Sequence, residues 1–278
     1  MTVKELKEKA SYIRLKSLLA LQRSSFPFMG NSITSVEIMT ALYYGEFNNS
    51  PIFKVDPANP DWDAQDYFVV SRSVSSVVQY AILSDKDFFH SSEMDFFGNL
   101  GSKLISRSNG KVPGVSVSST DFAHAVSGAL GLALSLKMDR KPNRVFVLLD
   151  VSELQNGQLW EVVLYAVQYN LNNLIFIVDD CGFQADGPVR SSVDIGYLQS
   201  KFDSFGWQVV RVNDGHDFDQ LLDAYLKVFT VNRRPACIWC NTVAGKGVDF
   251  AERKHGYFNA VLSQPELELI ISNLSKTT

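Results

Sequence analysis

The sequence has few cysteines and no long apolar run. Three cysteines in 278 residues argue against a disulfide framework and fit a reducing compartment, so we expect a cytoplasmic protein. No stretch reaches the roughly 18 consecutive apolar residues that a membrane-spanning helix needs, so we expect no membrane partner. The first ten residues, MTVKELKEKA, are charged and typical of a helix, unlike a signal peptide.

An excess of charge of either sign is also missing. The 26 basic and 30 acidic residues leave a net charge of -4, which gives no reason to expect nucleic acid as a partner. The hydrophobic content of 46% and charged content of 20% are ordinary for a soluble globular protein. The length allows a sizeable core, and we predict a single domain over residues 1–278.

The stretch Val145–Gly187 combines the patterns of two strands and a helix. VFVLLD and LIFIVD are short apolar runs typical of buried parallel strands, and the segment between them, Glu153–Tyr169, repeats apolar residues near a helical period. Ligands bind at the carboxyl ends of parallel strands, so Asp150–Ser152 and Asp179–Phe183 are predicted to form two sides of a pocket.

Similar runs recur along the chain. Strands are predicted near Tyr67, Val145, Leu174, Trp207 and Ala236. Together they predict an α/β fold, with a parallel sheet of about five main strands and helices on both faces.

These motifs resemble the thiamine diphosphate motif of the transketolase family. The chain reads VLLDVSELQNGQLWE and then NLIFIVDDCGFQADGP, where the family reads VLLGDGELQEGQVWE and NLI-x-IVD-x-NGLQ-x-DGP. An ALYY helix, DPANPDW, DGHDF and GKGV also follow in the family's order. The resemblance covers nearly the whole chain and implies the diphosphate-binding domain of thiamine diphosphate enzymes.

The resemblance implies a magnesium site whose side-chain ligands are replaced here. In the family an Asp and an Asn, with a backbone carbonyl at the position of Phe183, hold Mg²⁺ on the cofactor diphosphate. Val151 and Cys181 stand at the Asp and Asn positions. Mg²⁺ prefers oxygen ligands, which a valine lacks and a soft sulfur does not replace. We therefore expect no ordinary metal site, with Asp150 and Asp180 as substitutes only if the turns shift.

Other active-site positions of the family also differ. Phe26 and Val74 stand where the family has histidines, and neither can take a proton. The resemblance places glycines at the positions of Thr120, Ala123 and Ala125, where a side chain removes the close backbone approach that glycine permits.

Some of the family's functional positions are retained. The resemblance implies His255 and Glu161 as catalytic candidates, the latter in an acidic relay whose second member is Asn156 here. A salt bridge or an interface contact explains Glu161 equally well. The candidates for cofactor binding are Glu153, Gly182, Phe183 and Lys246.

Two further patterns favour structural roles. Cys237 and Cys240 form a CxxC pattern, but in a predicted buried strand they face opposite sides, so we interpret them as core residues. His216 follows Gly215 in a predicted turn, where Asp217 is expected to cap the next helix.

The resemblance also implies a partner. In the family, the cofactor sits between the two halves of the protein, and the Glu that activates its aminopyrimidine ring lies in the C-terminal half. This chain matches only the N-terminal half. A separate subunit similar to the C-terminal half is therefore implied, in a homodimer or an α₂β₂ heterotetramer.

Three functions remain open on these grounds. The first is an N-terminal subunit that has lost ordinary Mg²⁺–thiamine diphosphate binding and acts in a structural or regulatory way or in altered chemistry. The second is a working split-transketolase subunit that moves a two-carbon ketol unit between sugar phosphates with displaced metal ligands. The third is a homodimeric, non-catalytic binding protein with the same fold.

Overall fold

A computed structural model describes residues 1–60, 62–119 and 124–277, with the side chains of 274–277 left out. Its strands are β1 (Glu46–Phe47), β2 (Ser50–Pro51), β3 (Tyr67–Val70), β4 (Val145–Asp150), β5 (Leu174–Asp180), β6 (Phe183–Gln184), β7 (Gly187–Pro188), β8 (Gln208–Val212) and β9 (Ala236–Asn241).

The central sheet has five parallel strands in the order β3-β4-β5-β9-β8. This confirms the predicted parallel sheet and the five predicted strand positions, with the fourth strand beginning one residue after Trp207. The short strands form two antiparallel pairs outside it, β1 with β2 and β6 with β7.

Helices cover both faces of the sheet. They are α1 (Val3–Arg23), α2 (Met29–Ser32), α3 (Val36–Tyr44), α4 (Ser76–Asp85), α5 (His124–Met138), α6 (Gly157–Gln168), α7 (Val189–Ser192), α8 (Leu198–Ser204), α9 (Phe218–Phe229), α10 (His255–Phe258) and α11 (Gln264–Thr277). Among the described helices, none combines the length and the apolar character that a membrane-spanning segment requires.

Successive side chains of a strand point to opposite faces of the sheet, so the core is divided into two clusters, one on each face. Phe146 and Leu148 of β4 belong to one cluster, whereas Val147 and Leu149 belong to the other. Side chains of α1, α3, α4 and α9 pack in the first cluster, and side chains of α5, α6 and α8 pack in the second. Every residue of β4 is buried, which is why the strand reads as a continuous apolar run.

The two cysteines of β9 follow the same alternation. Cys240 lies in the first cluster and Cys237 in the second, and both thiols are free and buried. The interpretation of the CxxC pattern as core packing is confirmed.

The crossover between β4 and β5 begins differently from its prediction. A 3₁₀ turn spans Val151–Gln155, and α6 begins at Gly157 rather than at Glu153. Asn156 separates the two because its backbone is extended, with φ -88° and ψ 126°, and its side chain caps α6. The predicted helix start was therefore wrong by four residues, although the helical period beyond it was right.

Candidate functional site

The carboxyl ends of three neighbouring strands bring polar side chains to one edge of the sheet. Arg72 follows β3, Asp150 ends β4, and Asp179 lies near the end of β5. Parallel pairing sets Asp150 directly opposite Asp179. A cavity of about 730 Å³ opens beyond this edge, and both Arg72 and Asp150 line it.

Arg72 is the centre of this polar cluster. Its Nε lies 3.2 Å from Asp150 Oδ2, and its Nη1 pairs with Asp179 Oδ2. Nη1 also donates to Thr34 Oγ1 at 2.8 Å, and Nη2 donates to Asn31 O at 2.7 Å and to Asn31 Oδ1. Burial by itself would lower the pKa of the guanidinium, but Asp179 and Asp150 raise that pKa above its ordinary value. Arg72 is therefore a permanently charged, buried cation.

The turn after β4 is fixed by its own acidic residues. Asp150 Oδ1 accepts a hydrogen bond from Ser152 N at 2.7 Å. Glu153 Oε2 accepts one from Asp150 N at 2.7 Å, and its Oε1 accepts one from Ser71 Oγ at 2.5 Å. This is the reciprocal arrangement of a capping box. Both carboxylates are buried, so Glu153, a predicted cofactor-binding residue, holds the backbone of the turn.

Burial of Asp150 disfavours its charged form. Desolvation raises the pKa of Asp150 above its ordinary value, while Arg72 and the hydrogen bonds from Ser152 oppose that rise. The guanidinium is thus the group that makes an ionised Asp150 tolerable at this depth.

The two positions where the family resemblance placed metal ligands are both buried. Val151 is 3% exposed and packs in the second core cluster. Burial raises the pKa of the Cys181 thiol to about 12, although Arg72 opposes this, so the sulfur stays protonated at neutral pH. Its Sγ lies 3.7 Å from Phe183 O, to which the thiol donates. A hard cation finds no oxygen ligand in either side chain.

The two proposed substitute ligands do not come together. Asp150 lines the cavity of about 730 Å³, whereas Asp180 lines a different cavity of about 380 Å³. The carboxylate of Asp180 accepts hydrogen bonds from Trp239 Nε1 at 3.0 Å and from Gly182 N at 3.1 Å. Within the described ranges, no three His, Cys, Asp or Glu residues are grouped so that they could hold a metal ion.

Of the predicted catalytic and cofactor-binding residues, Glu153 lines the cavity beside Arg72, while His255 lies against Phe183. His255 Nε2 lies 3.1 Å from Gln184 O, and the ring packs beside Phe183 and Phe258. Gly182 follows β5 with φ +76°, a conformation that glycine adopts readily. These contacts of His255 do not reach the Arg72 cluster.

Two more candidates lie outside both cavities. Lys246 Nζ pairs with Glu252 Oε1 at 3.4 Å. Glu161 is exposed on α6, and Asn156 caps that helix by accepting from Gln158 N at 3.0 Å. The interface contact of Glu161 stays a prediction.

Apolar rings form part of the cavity wall. Phe26 and Val74, which the resemblance placed at two histidine positions of the family, both line it together with Phe28 and Phe258. Ala125 is buried on α5, whereas Thr120 and Ala123 lie outside the described residues.

Sequence reasoning missed Arg72, Thr34 and Asn31. The available signal was an arginine two residues after a buried strand, at the edge where ligands bind. Its partners Asp150 and Asp179 lie at or near the ends of two neighbouring strands, so a link between them could have been inferred from the topology.

Comparisons with known proteins agree with this fold. The family model described as "Transketolase, thiamine diphosphate binding domain" matches residues 6–275. The chain is 28% identical over 273 residues to the 6-deoxy-6-sulfo-D-fructose transketolase subunit SqwG of a Clostridium species, covering 98% of this chain and 97% of that subunit. It is 25% identical over 276 residues to one of the subunits of the apulose-4-phosphate transketolase of Phocaeicola vulgatus, covering 99% and 96%.

A solved structure extends the likeness to three dimensions. The transketolase of Campylobacter jejuni superposes with a TM-score of 0.90 at 23% identity, covering 99% of this chain. The chain spans only 43% of the length of that transketolase. At this identity the match shows the fold alone.

Proposed function

Because the chain belongs to the transketolase thiamine diphosphate-binding family, we propose that it is the N-terminal subunit of a split transketolase-type assembly that has lost ordinary Mg²⁺–thiamine diphosphate binding. Residues 1–278 form one domain of this assembly. The chain serves in a structural or regulatory way, or hosts altered chemistry together with its partner.

The lengths of the relatives support the split arrangement. The chain covers 97% and 96% of two proteins that are named as transketolase subunits, but 42% of the human transketolase. The missing portion corresponds to a second subunit similar to the C-terminal half of transketolase. We propose that the two kinds of subunit form an α₂β₂ assembly, with Glu161 of the exposed side of α6 at the interface.

One observation carries the proposed loss of cofactor binding. The positions of the two side-chain ligands are a buried valine, Val151, and a protonated thiol, Cys181. Asp150 is engaged by Arg72, and Asp180 is engaged by Trp239. A diphosphate that enters a buried site without a metal ion faces a desolvation cost of several kcal/mol.

Calorimetric titration of thiamine diphosphate with Mg²⁺ tests this proposal, first on the chain alone and then with its candidate partner. We expect no heat and no thermal shift in either case. Micromolar, Mg²⁺-dependent binding would refute the proposed loss. The variant Val151→Asp/Cys181→Asn restores the family's ligands, and if it also fails to bind, the missing ligands are not a sufficient cause.

A working split transketolase is the alternative that the names of the relatives favour. Two of them are named as subunits that belong to transketolases of modified sugars. In this case the reconstituted assembly transfers a two-carbon ketol unit between sugar phosphates, with His255 as a catalytic group. An aldose-dependent ketol-transfer assay on the assembly, with His255→Ala as the comparison, separates this alternative from the main proposal.

A homodimeric binding protein is the remaining possibility from the sequence. It requires the chain to form a stable dimer that does not bind a subunit similar to the C-terminal half. Sedimentation of the chain with and without such a subunit distinguishes the two arrangements.

A further inference from the structure

We propose that the Arg72 guanidinium is a resident cation that fills an all-oxygen cation site at the floor of the cavity, and that this site accepts a divalent metal ion once the guanidinium is removed. The inference concerns contacts within this chain. It holds whether or not the chain pairs with a second subunit.

The acceptors around Arg72 form the donor set of a hard cation. Five oxygens surround the guanidinium: one carboxylate oxygen each from Asp150 and Asp179, the hydroxyl of Thr34, and the backbone and side-chain carbonyls of Asn31. Carboxylates, hydroxyls and carbonyls are the ligands that Mg²⁺ and Ca²⁺ take in proteins. In this chain the Arg72 guanidinium occupies the space between these five oxygens.

The acceptors are held in place by other contacts. Asp179 also accepts hydrogen bonds from Thr34 Oγ1 and Thr242 Oγ1. Asp150 is fixed by its bond to Ser152 N at 2.7 Å and by the parallel pairing of β4 with β5. The two carboxylates and the Thr34 hydroxyl therefore have supports of their own and are expected to stay grouped when the guanidinium is absent.

The buried carboxylates of Asp150 and Asp179 require a cation at the position of the Arg72 guanidinium. The side chain of Arg72 is 2% exposed, that of Asp150 is 6% exposed and that of Asp179 is fully buried. A third buried carboxylate, Glu153, lies close enough to influence the charge of Arg72. Without the guanidinium, two buried carboxylates would lie on adjacent strands with no counter-charge, which is strongly unfavourable.

The guanidinium has little capacity left for a ligand. Nη1 is used by Thr34 and Asp179, and Nη2 is used twice by Asn31. Although Arg72 borders the cavity, its Nη1 and Nη2 donors point at the protein, and its Nε is buried within 3.2 Å of Asp150 Oδ2 without a hydrogen bond. Its role is to join the ends of β3, β4 and β5 to the segment that contains α2, as a bound metal ion would.

Thermal unfolding of three variants tests the inference with MgCl₂ or MnCl₂ as the only added probe. Arg72→Ala empties the site, and we expect its melting temperature in EDTA to fall by about 6 °C or more. Millimolar Mg²⁺ or Mn²⁺ should restore at least about 3 °C of that loss, because an ion that binds only the folded state stabilises it. The wild-type protein should not respond.

Arg72→Met is the matched control, because its uncharged side chain fills the space that an ion would need. It should lose stability without regaining it in the presence of either ion. Arg72→Ala/Asp150→Asn removes one carboxylate, so it should be more stable than Arg72→Ala in EDTA and should lose the response to Mg²⁺ and Mn²⁺.

Two results would overturn the inference. One is an Arg72→Ala variant whose melting temperature ignores both ions. The other is an Arg72→Ala/Asp150→Asn variant that is no more stable than Arg72→Ala. If Arg72→Ala fails to fold, the solubility and folding of the double variant are compared with those of Arg72→Ala instead. A soluble, folded double variant would support the role of Arg72 as the counter-ion.

Discussion

His216 Nδ1 donates a hydrogen bond to Glu37 Oε2 at 2.9 Å, across 179 residues of chain. The direction follows from the other ring nitrogen, since Nε2 accepts a hydrogen bond from Val243 N at 2.9 Å and therefore carries no proton. Arg14 pairs with the second oxygen of Glu37. These contacts join α1, α3, the turn before α9 and the loop after β9 in one buried network.

The charge of Glu37 should make stability depend on pH. Burial opposes ionisation, but Arg14 and His216 outweigh it and lower the pKa of Glu37 to about 2. The folded-state pKa lies below the ordinary value of about 4.3, so the stabilisation is present above pH 4.3 and is lost as the pH falls toward 2. Glu37→Gln should lower the free energy of unfolding by about 3 kcal/mol at pH 7.

Urea unfolding of Glu37→Gln and the wild-type protein at pH 7, 5 and 3.5 measures this effect. The difference between the two proteins should narrow between pH 5 and 3.5. Glu8→Gln, at an exposed glutamate of α1, is the control and should change stability by no more than about 0.5 kcal/mol at each pH. A difference for Glu37→Gln that does not vary with pH would contradict the argument.

The three thiols should be unreactive in the folded protein. All three cysteines are buried and free, and burial raises the pKa of each of them. Because the thiolate is the reactive species, titration with an aromatic disulfide reagent at pH 8 should show no fast phase. The same titration in guanidinium chloride should count three thiols. One fast equivalent in the native protein would mean that Cys181 is exposed to solvent.

The contact between Asp180 and Trp239 should stabilise the end of β5. Asp180→Ala leaves the buried indole N–H without its acceptor and should cost about 1–3 kcal/mol. Asp180→Asn retains an acceptor for the indole N–H, so its loss of stability should be less than half of the loss in Asp180→Ala. A double-mutant cycle with Trp239→Phe, measured by urea unfolding, should give a coupling energy of about 1 kcal/mol. A coupling energy of zero would show that the hydrogen bond adds no stability.

The cap of α9 provides a local test. Asp217 Oδ1 accepts from Asp219 N at 2.9 Å and from Gln220 N at 3.3 Å, which confirms its predicted role as the helix cap. Asp217→Ala should lower the free energy of unfolding by about 1 kcal/mol. Asp219→Ala, at an exposed position in the first turn of the helix, should lower the free energy of unfolding by only a few tenths of the loss in Asp217→Ala. Equal losses in the two variants would assign the effect to charge near the helix end rather than to capping.

The positions of the strands and their parallel pairing were accessible from the sequence because the information is local. Apolar runs such as VFVLLD and LIFIVD can only be satisfied by burial on both faces of a sheet. The crossover pattern between them requires parallel pairing. The exact start of α6 was not accessible, since Asp150 and Glu153 form a competing capping box around the 3₁₀ turn.

The sequence alone thus determined the α/β class, the five parallel strands and the edge of the sheet where polar residues gather. Together with the family resemblance, it also pointed to Val151, Phe26 and Val74 as apolar side chains at expected functional positions, because the identity of a side chain limits its chemistry. Only the tertiary structure decided that Arg72 joins Asp150 and Asp179 and that Asp180 points to Trp239 instead. Such pairings depend on which distant segments the folded sheet brings together. A charged side chain that the fold buries there needs a partner of opposite charge or a hydrogen bond, whichever segment supplies it.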